Sequence, residues 1–76
     1  PLIALNGGND GLDVIKKVIY KAKEILKING KLALEIGNDQ SKKVSKELKL
    51  NNFKIEQNIK DYKENTRCLI STLIHN

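Results

Sequence analysis

The sequence predicts an α/β protein whose elements run loop, helix, strand, helix, strand, strand, with the last strand antiparallel and inserted between the other two. Three observations carry that expectation. Leu12, Ile15, Val18, Ile19, Ala22, Ile25 and Leu26 recur at the spacing of one helix face. Lys31-Leu32-Ala33-Leu34-Glu35-Ile36-Gly37 is a short, nearly continuous apolar run, the pattern of a strand buried on both faces in a parallel sheet. Phe53, Ile55, Gln57 and Ile59 alternate with Lys54, Glu56, Asn58 and Lys60, as in a strand with one face in water.

Each element follows in order. The opening stretch ends in Asn6-Gly7-Gly8-Asn9, which is unsuited to regular structure and suited to positive backbone angles. Asp10 can cap the first helix, its carboxylate accepting from amides two or three residues on. Lys16, Lys17, Lys21, Lys23 and Lys27 fill the solvent side of that helix, and Asn29-Gly30 stops it. After the apolar strand, Asn38-Asp39 can cap a second helix from about Gln40 to Leu50, with Val44 and Leu48 as its main buried pair. A polar connection at Tyr62-Lys63-Glu64-Asn65 leads into Arg67 through His75. There Cys68, Ile70, Thr72 and Ile74 face one way and Leu69, Ser71 and Leu73 the other, so this strand belongs inside a sheet. A right-handed strand–helix–strand crossover makes the first two strands parallel, and the short final connection makes the last one antiparallel. The penultimate strand is then an edge, blunted by its lysines.

The chain has 76 residues, enough for one small domain or part of a larger one. Cys68 is its sole cysteine and His75 its sole histidine, which excludes an internal disulfide and a zinc set. A lone thiol suits the cytoplasm. No apolar run approaches the roughly 20 residues needed to span a bilayer. The chain opens at Pro1 without a Met, as expected of an excised fragment or processed product. Its net charge of +5 comes almost wholly from Lys. Such a charge can be a footprint for nucleic acid, or simply a solvated lysine surface. Arg67 is the only Arg, and Phe53, Tyr20 and Tyr62 the only aromatics, which favours the solvated surface.

Two segments resemble one family. Ala4-Leu5-Asn6-Gly7-Gly8-Asn9-Asp10-Gly11-Leu12 resembles the Ala-Leu-Asp-Gly-Gly-x-Asp-Gly-Leu segment of the release-factor glutamine methyltransferases. Leu34-Glu35-Ile36-Gly37 followed by Asp39-Gln40 resembles the Leu-Glu-Ile-Gly-x-x-Gln end of that family's fifth strand, and Arg67 its usual Arg before the final strand. The resemblance covers essentially the whole chain. Asn6 stands where the family usually has Asp, which keeps local hydrogen bonding and loses a charge.

The resemblance implies the C-terminal half of a Rossmann-like class I methyltransferase sheet. It further implies a parent that transfers methyl from S-adenosylmethionine to a glutamine side-chain amide of a peptide chain release factor, in translation termination. The family's glycine-rich donor loop, its acidic residue after the second strand and its Asn-Pro-Pro-Tyr segment are absent from this sequence. No catalytic, cofactor-binding or metal residue is therefore carried over, and the 76-residue chain alone is expected to be inactive and to bind no cofactor. The rivals are a nucleic-acid amino-methyltransferase of the same fold and a free-standing basic nucleic-acid-binding module.

Single residues admit paired readings. The Gly7-Gly8 loop can wall a substrate channel at the carboxyl side of the sheet, or can be a turn that needs glycine. A single Gly-Gly-Asn-Asp copy followed by a helix does not make a tandem calcium-binding repeat, and the lysine-ended phosphate loop is missing. Glu35, in an apolar strand, reads as an anchor to backbone amides or a Lys, or alternatively as a site residue. Cys68 reads as a small buried apolar group, not a nucleophile. His75 reads as solvated, and Tyr20 and Tyr62 as partly buried. Finally, strand Lys31–Gly37 should present an open apolar edge, through which the chain self-associates or at which it is only loosely ordered.

Overall fold

The computed structural model describes residues 1–7, 11–37 and 39–76. Six elements follow one another: β1 (Leu2–Asn6), α1 (Leu12–Ile25), β2 (Lys31–Glu35), α2 (Ser41–Leu50), β3 (Phe53–Lys60) and β4 (Thr66–Leu73). The four strands form one sheet in the order β1-β2-β4-β3. β1 and β2 are parallel, and β4 is antiparallel to both β2 and β3. The inserted last strand is as the sequence predicts. The arrangement is a mixed α/β sheet consistent with a fragment of a class I methyltransferase fold.

Both helices lie on one face of the sheet and seal a single core. Ile15, Ile19, Ala22 and Leu26 from the first helical region meet Val44 and Leu48 from α2 over Leu32, Leu34, Phe53, Leu69 and Leu73 of the strands. Ile25 is the exception to the predicted stripe. It ends α1 and stays 61% exposed, because the chain turns extended at Leu26, whose side chain takes the core position instead. The N-cap of α1 is Gly11, without a side-chain cap. Asp10, the expected cap, lies outside the described residues, as do Gly8, Asn9 and Asn38.

The turn into β2 needs two unusual residues. Asn29 takes the left-handed region at φ 74°, which Asn tolerates better than most residues. Gly30 is required sterically: a Cβ there would stand 2.7 Å from Leu26 Cδ2 and 2.9 Å from the Lys27 carbonyl oxygen.

Several expectations are corrected. The opening loop is a strand as far as Asn6. Leu2-Ile3-Ala4-Leu5 has strand-competent side chains, and the free side of β2 offers them a parallel ladder, closed at its ends by Lys31 N–H to the Pro1 carbonyl (3.1 Å) and Gly7 N–H to the Glu35 carbonyl (2.8 Å). β2 is consequently no edge, so its backbone is unavailable for the expected self-association through 31–37; β1 is the edge. Nor is β2 buried on both faces. Leu32 and Leu34 are sealed against the helices, while Lys31 and Glu35 are exposed and Ala33 half-buried.

The other differences are local. α2 is capped at Gln40, whose side-chain oxygen accepts from Gly37 N–H at 2.8 Å, and Asp39 sits in the left-handed region at φ 66°. The alternation in β3 is broken by a bulge between Ile55 and Gln57. Phe53 and Ile55 point at the core, but past the bulge Ile59 pairs with Cys68 and turns to the opposite face. Tyr62 is 91% exposed at the hairpin tip.

Candidate functional site

In open α/β sheets, ligands gather beyond the carboxyl ends of the parallel strands. Here those ends are Asn6 and Glu35, the last residues of β1 and β2, directly opposite each other in the ladder. Cys68 of β4 lies opposite Glu35 on its other side. Side chains alternate along a strand, so with Leu34 in the core Glu35 points to the face without helices. Ala33 and Ala4 share that face. Together Ala4, Leu5, Asn6, Ala33, Glu35 and Cys68 line a cleft of about 180 Å³ with an apolar floor and a polar rim.

The Glu35 carboxylate is exposed on that rim, and among the described residues it has no hydrogen-bonding amide and no Lys. The anchor expected from the sequence is therefore not what holds it. Its main chain is the tied part, through the Gly7 bond. Gly7 itself is buried, and a Cβ on it would approach Ile15 Cγ1 to 3.2 Å and the Glu35 carbonyl oxygen to 3.4 Å. Close approach, not a positive φ, is why glycine suits this position; no described glycine has positive φ. Gly8, its partner in the predicted rim loop, lies outside the described residues.

Burial pushes the Cys68 thiol up from its ordinary value, and the Glu35 charge pushes it further, against a smaller opposing hydrogen bond with the Leu34 backbone. The thiolate is thus disfavoured, and Cys68 is a half-buried lining group without nucleophilic activation.

The remaining candidates lie elsewhere. The Arg67 guanidinium bonds Asp61 at 2.9 Å, bracing the β3–β4 hairpin instead of entering the cleft. Asp61 also accepts from the Lys63 and Asn65 backbone amides at 2.8 and 3.0 Å. These bonds, Asn65 foremost, hold its carboxyl below the ordinary range against the effect of burial. His75 is exposed. Among the described residues no group of three or more His, Cys, Asp or Glu could hold a metal ion.

One polar link escaped the sequence reading. Tyr20 donates its hydroxyl to Glu47 Oε1 at 2.9 Å, joining α1 to α2, and Asn51 Nδ2 donates to the Glu47 carbonyl at 2.8 Å. Glu47 is only 9% exposed. The carboxylate raises the Tyr20 hydroxyl, first by the hydrogen bond. A Glu within a lysine-rich helix reads as solvated; only its i, i+4 relation to Asn51 hinted otherwise.

Against known proteins, no family model and no solved structure matches the chain. Curated proteins do. It is 46% identical over 71 residues to the release factor glutamine methyltransferase of Fusobacterium nucleatum, which is 93% of this chain and 20% of that protein. It is 37% identical over 71 residues to the enzyme of the same name from Clostridium acetobutylicum, 93% of this chain and 25% of that protein. A bifunctional methyltransferase of Rickettsia felis is 36% identical over 75 residues, 99% of this chain and 14% of that protein. The chain thus spans a quarter or less of the length of these relatives. Over nearly all of its own length, it is homologous to the C-terminal part of the release factor glutamine methyltransferases.

Proposed function

We propose that this chain is the distal structural part of an S-adenosylmethionine-dependent methyltransferase acting on a glutamine side-chain amide of a peptide chain release factor in the cytoplasm. The observation that carries the reading is identity of 37–46% across 93% of the chain with proteins named for that reaction.

The cleft at the strand ends does not itself make a donor site. The Asn6–Glu35–Cys68 cleft, at about 180 Å³, is smaller than the roughly 300–1,000 Å³ usual for such ligands. The chain's own part is support: a central antiparallel strand, two helices over one face, and the rim formed by Asn6, Gly7 and Glu35. An amide nitrogen is a poor nucleophile because its lone pair is delocalised, so catalysis on it rests on alignment and charge stabilisation. A rigid rim at the carboxyl ends of the strands serves alignment.

The test is methyl transfer from labelled S-adenosylmethionine to purified release factor. The longer protein containing this segment should label one glutamine, and the 76-residue chain alone should not. A second arm uses ribosomal protein uL3, because a relative in Francisella tularensis, 45% identical over 40 residues, is named for that substrate. Label in uL3 alone would move the substrate but keep the amide chemistry. Label in neither would defeat the reading.

A further inference from the structure

We infer that the lysine row of α2 (Lys42, Lys46 and Lys49), with the groove between α2 and β3, docks an acidic, partly apolar segment of the protein substrate away from its target glutamine. The inference rests on the function proposed above and deepens it to a second contact surface for the same partner.

Charge spacing supplies the first argument. Lys42, Lys46 and Lys49 stand at i, i+4 and i+7 on one flank of α2, while Val44 and Leu48 face the core. Glu47, the only acid of this helix, is turned to the other flank, where its carboxylate accepts the Tyr20 hydroxyl at 2.9 Å. Like charges at these spacings repel, so the row weakens the helix that carries it. α1 shows the mixed alternative. There Asp13 stands three and four residues before Lys16 and Lys17, and Glu24 pairs with Lys21 at 3.6 Å. A row left unmixed despite its self-repulsion suits a partner that supplies the acids.

Shape and place supply the second. Two shallow grooves of about 510 Å³ each flank the row, one along the helix from Ser41 to Leu50, the other between α2 and β3. The latter is floored by Phe53, Ile55 and Ile74 and edged by Ser45, Lys49 and Asn58. Neither lining contains an acid. By contrast, the cleft at the strand ends holds Glu35, the one beside the hairpin Asp39 and Glu64, and the one at Tyr20 Glu24. The chain's only Arg is engaged by Asp61, and Phe53 is buried away from stacking. Lysines beside an apolar floor therefore fit carboxylates on a polypeptide better than phosphates and bases. α2 starts just beyond the carboxyl end of β2, so Lys42 lies nearest the rim where ligands meet such sheets. Lys49 follows about 10 Å further along the helix. A substrate chain leaving that rim along α2 passes over the row, and such a contact, equal in ground and transition states, acts on KM.

The test compares three forms of the longer protein. Beside wild type stand Lys42→Gln/Lys46→Gln/Lys49→Gln, which keeps helix propensity, and Lys16→Gln/Lys17→Gln/Lys21→Gln, which removes the same charge from α1. The substrates are intact release factor and a short peptide carrying only the target glutamine and its immediate neighbours. The α2 variant should raise KM for intact release factor about tenfold with kcat unchanged, and should lose most of the salt dependence of that KM. KM for the short peptide should not change, the α1 variant should match wild type, and both variants should melt with wild type. Absence of methyl transfer by wild type defeats the function reading itself. An active wild type whose KM for intact release factor is unmoved by the α2 changes overturns this inference alone. So does an equal rise for the short peptide, which would set the lysines at the catalytic region, or an equal rise in the α1 variant, which would reduce the effect to net charge. Loss of salt-sensitive RNA affinity with KM intact would give the face to nucleic acid and overturn it too.

Discussion

On the helix-covered face of the sheet, Leu32, Leu34 and Leu73 are wholly sealed and Leu69 nearly so, whereas the opposite face carries Ala4, Ala33, Cys68 and Ile70, smaller or only half-buried. The same strands build both faces, so the difference lies in side-chain choice and in what lies above them. The covered face holds the fold together. The open face is where the polar groups Asn6 and Glu35 come together at the carboxyl ends of the strands. Burial and exposure are thus assigned to alternate residues of the same backbone.

The largest effect that can break this comparison is a core truncation. Leu34→Ala or Phe53→Ala should cost about 2–5 kcal/mol, whereas Ile70→Ala should cost about 1 kcal/mol or less. Urea unfolding measures both; equal costs would mean that the open face is packed in solution.

Glycine substitutions come next. Gly30→Ala places a methyl group 2.7 Å from Leu26 and should destabilise by about 1–3 kcal/mol. Gly7→Ala meets Ile15 at 3.2 Å, where a small shift gives relief, so its cost should be smaller. In the longer enzyme, turnover lost from Gly7→Ala without a change in melting would place Gly7 in the wall of the substrate channel.

A subtler contrast separates the two sides of β2. Lys31 donates its N–H toward β1 and Ile36 toward β4, and alternation sends Ala33 and Glu35 the way of Lys31. Of β1, only Ile3 packs against the core. Amide exchange should therefore be faster at Ala33 and Glu35 than at Leu32 and Leu34, and uniform protection along β2 would contradict a weakly held β1.

The smallest effect touches neither face. Because the folded-state value of Asp61 lies below its unfolded value, its contribution is complete above the ordinary carboxylate range and is lost as pH falls through the depressed value. Asp61→Asn should lower the melting temperature slightly at neutral pH and leave it unchanged in strong acid.

Much of the fold was legible because α1, β2, α2, β3 and β4 each carry their own periodicity. β1 was not, because its pairing depends on a vacant side of β2, a property of the assembled sheet. The bulge in β3 was also hidden: Phe53 to Ile59 reads as unbroken alternation, and only the register against β4 reveals the extra residue. Of the candidate site, Glu35 could be singled out as a carboxylate in an apolar run. Its nearness to Asn6 and Cys68 could not, since 29 and 33 positions of sequence separate them and ladder register alone brings them together.

The insertion of β4 between β2 and β3 has a temporal consequence. During synthesis β2 and β3 leave the ribosome before the element that must lie between them, so neither can complete its hydrogen bonding while residues 66–73 are unmade. A nascent chain halted at the hairpin would hold two strands with no shared neighbour, a species that invites aggregation or chaperones. Joining β2 to β3 therefore waits on the translation of β4.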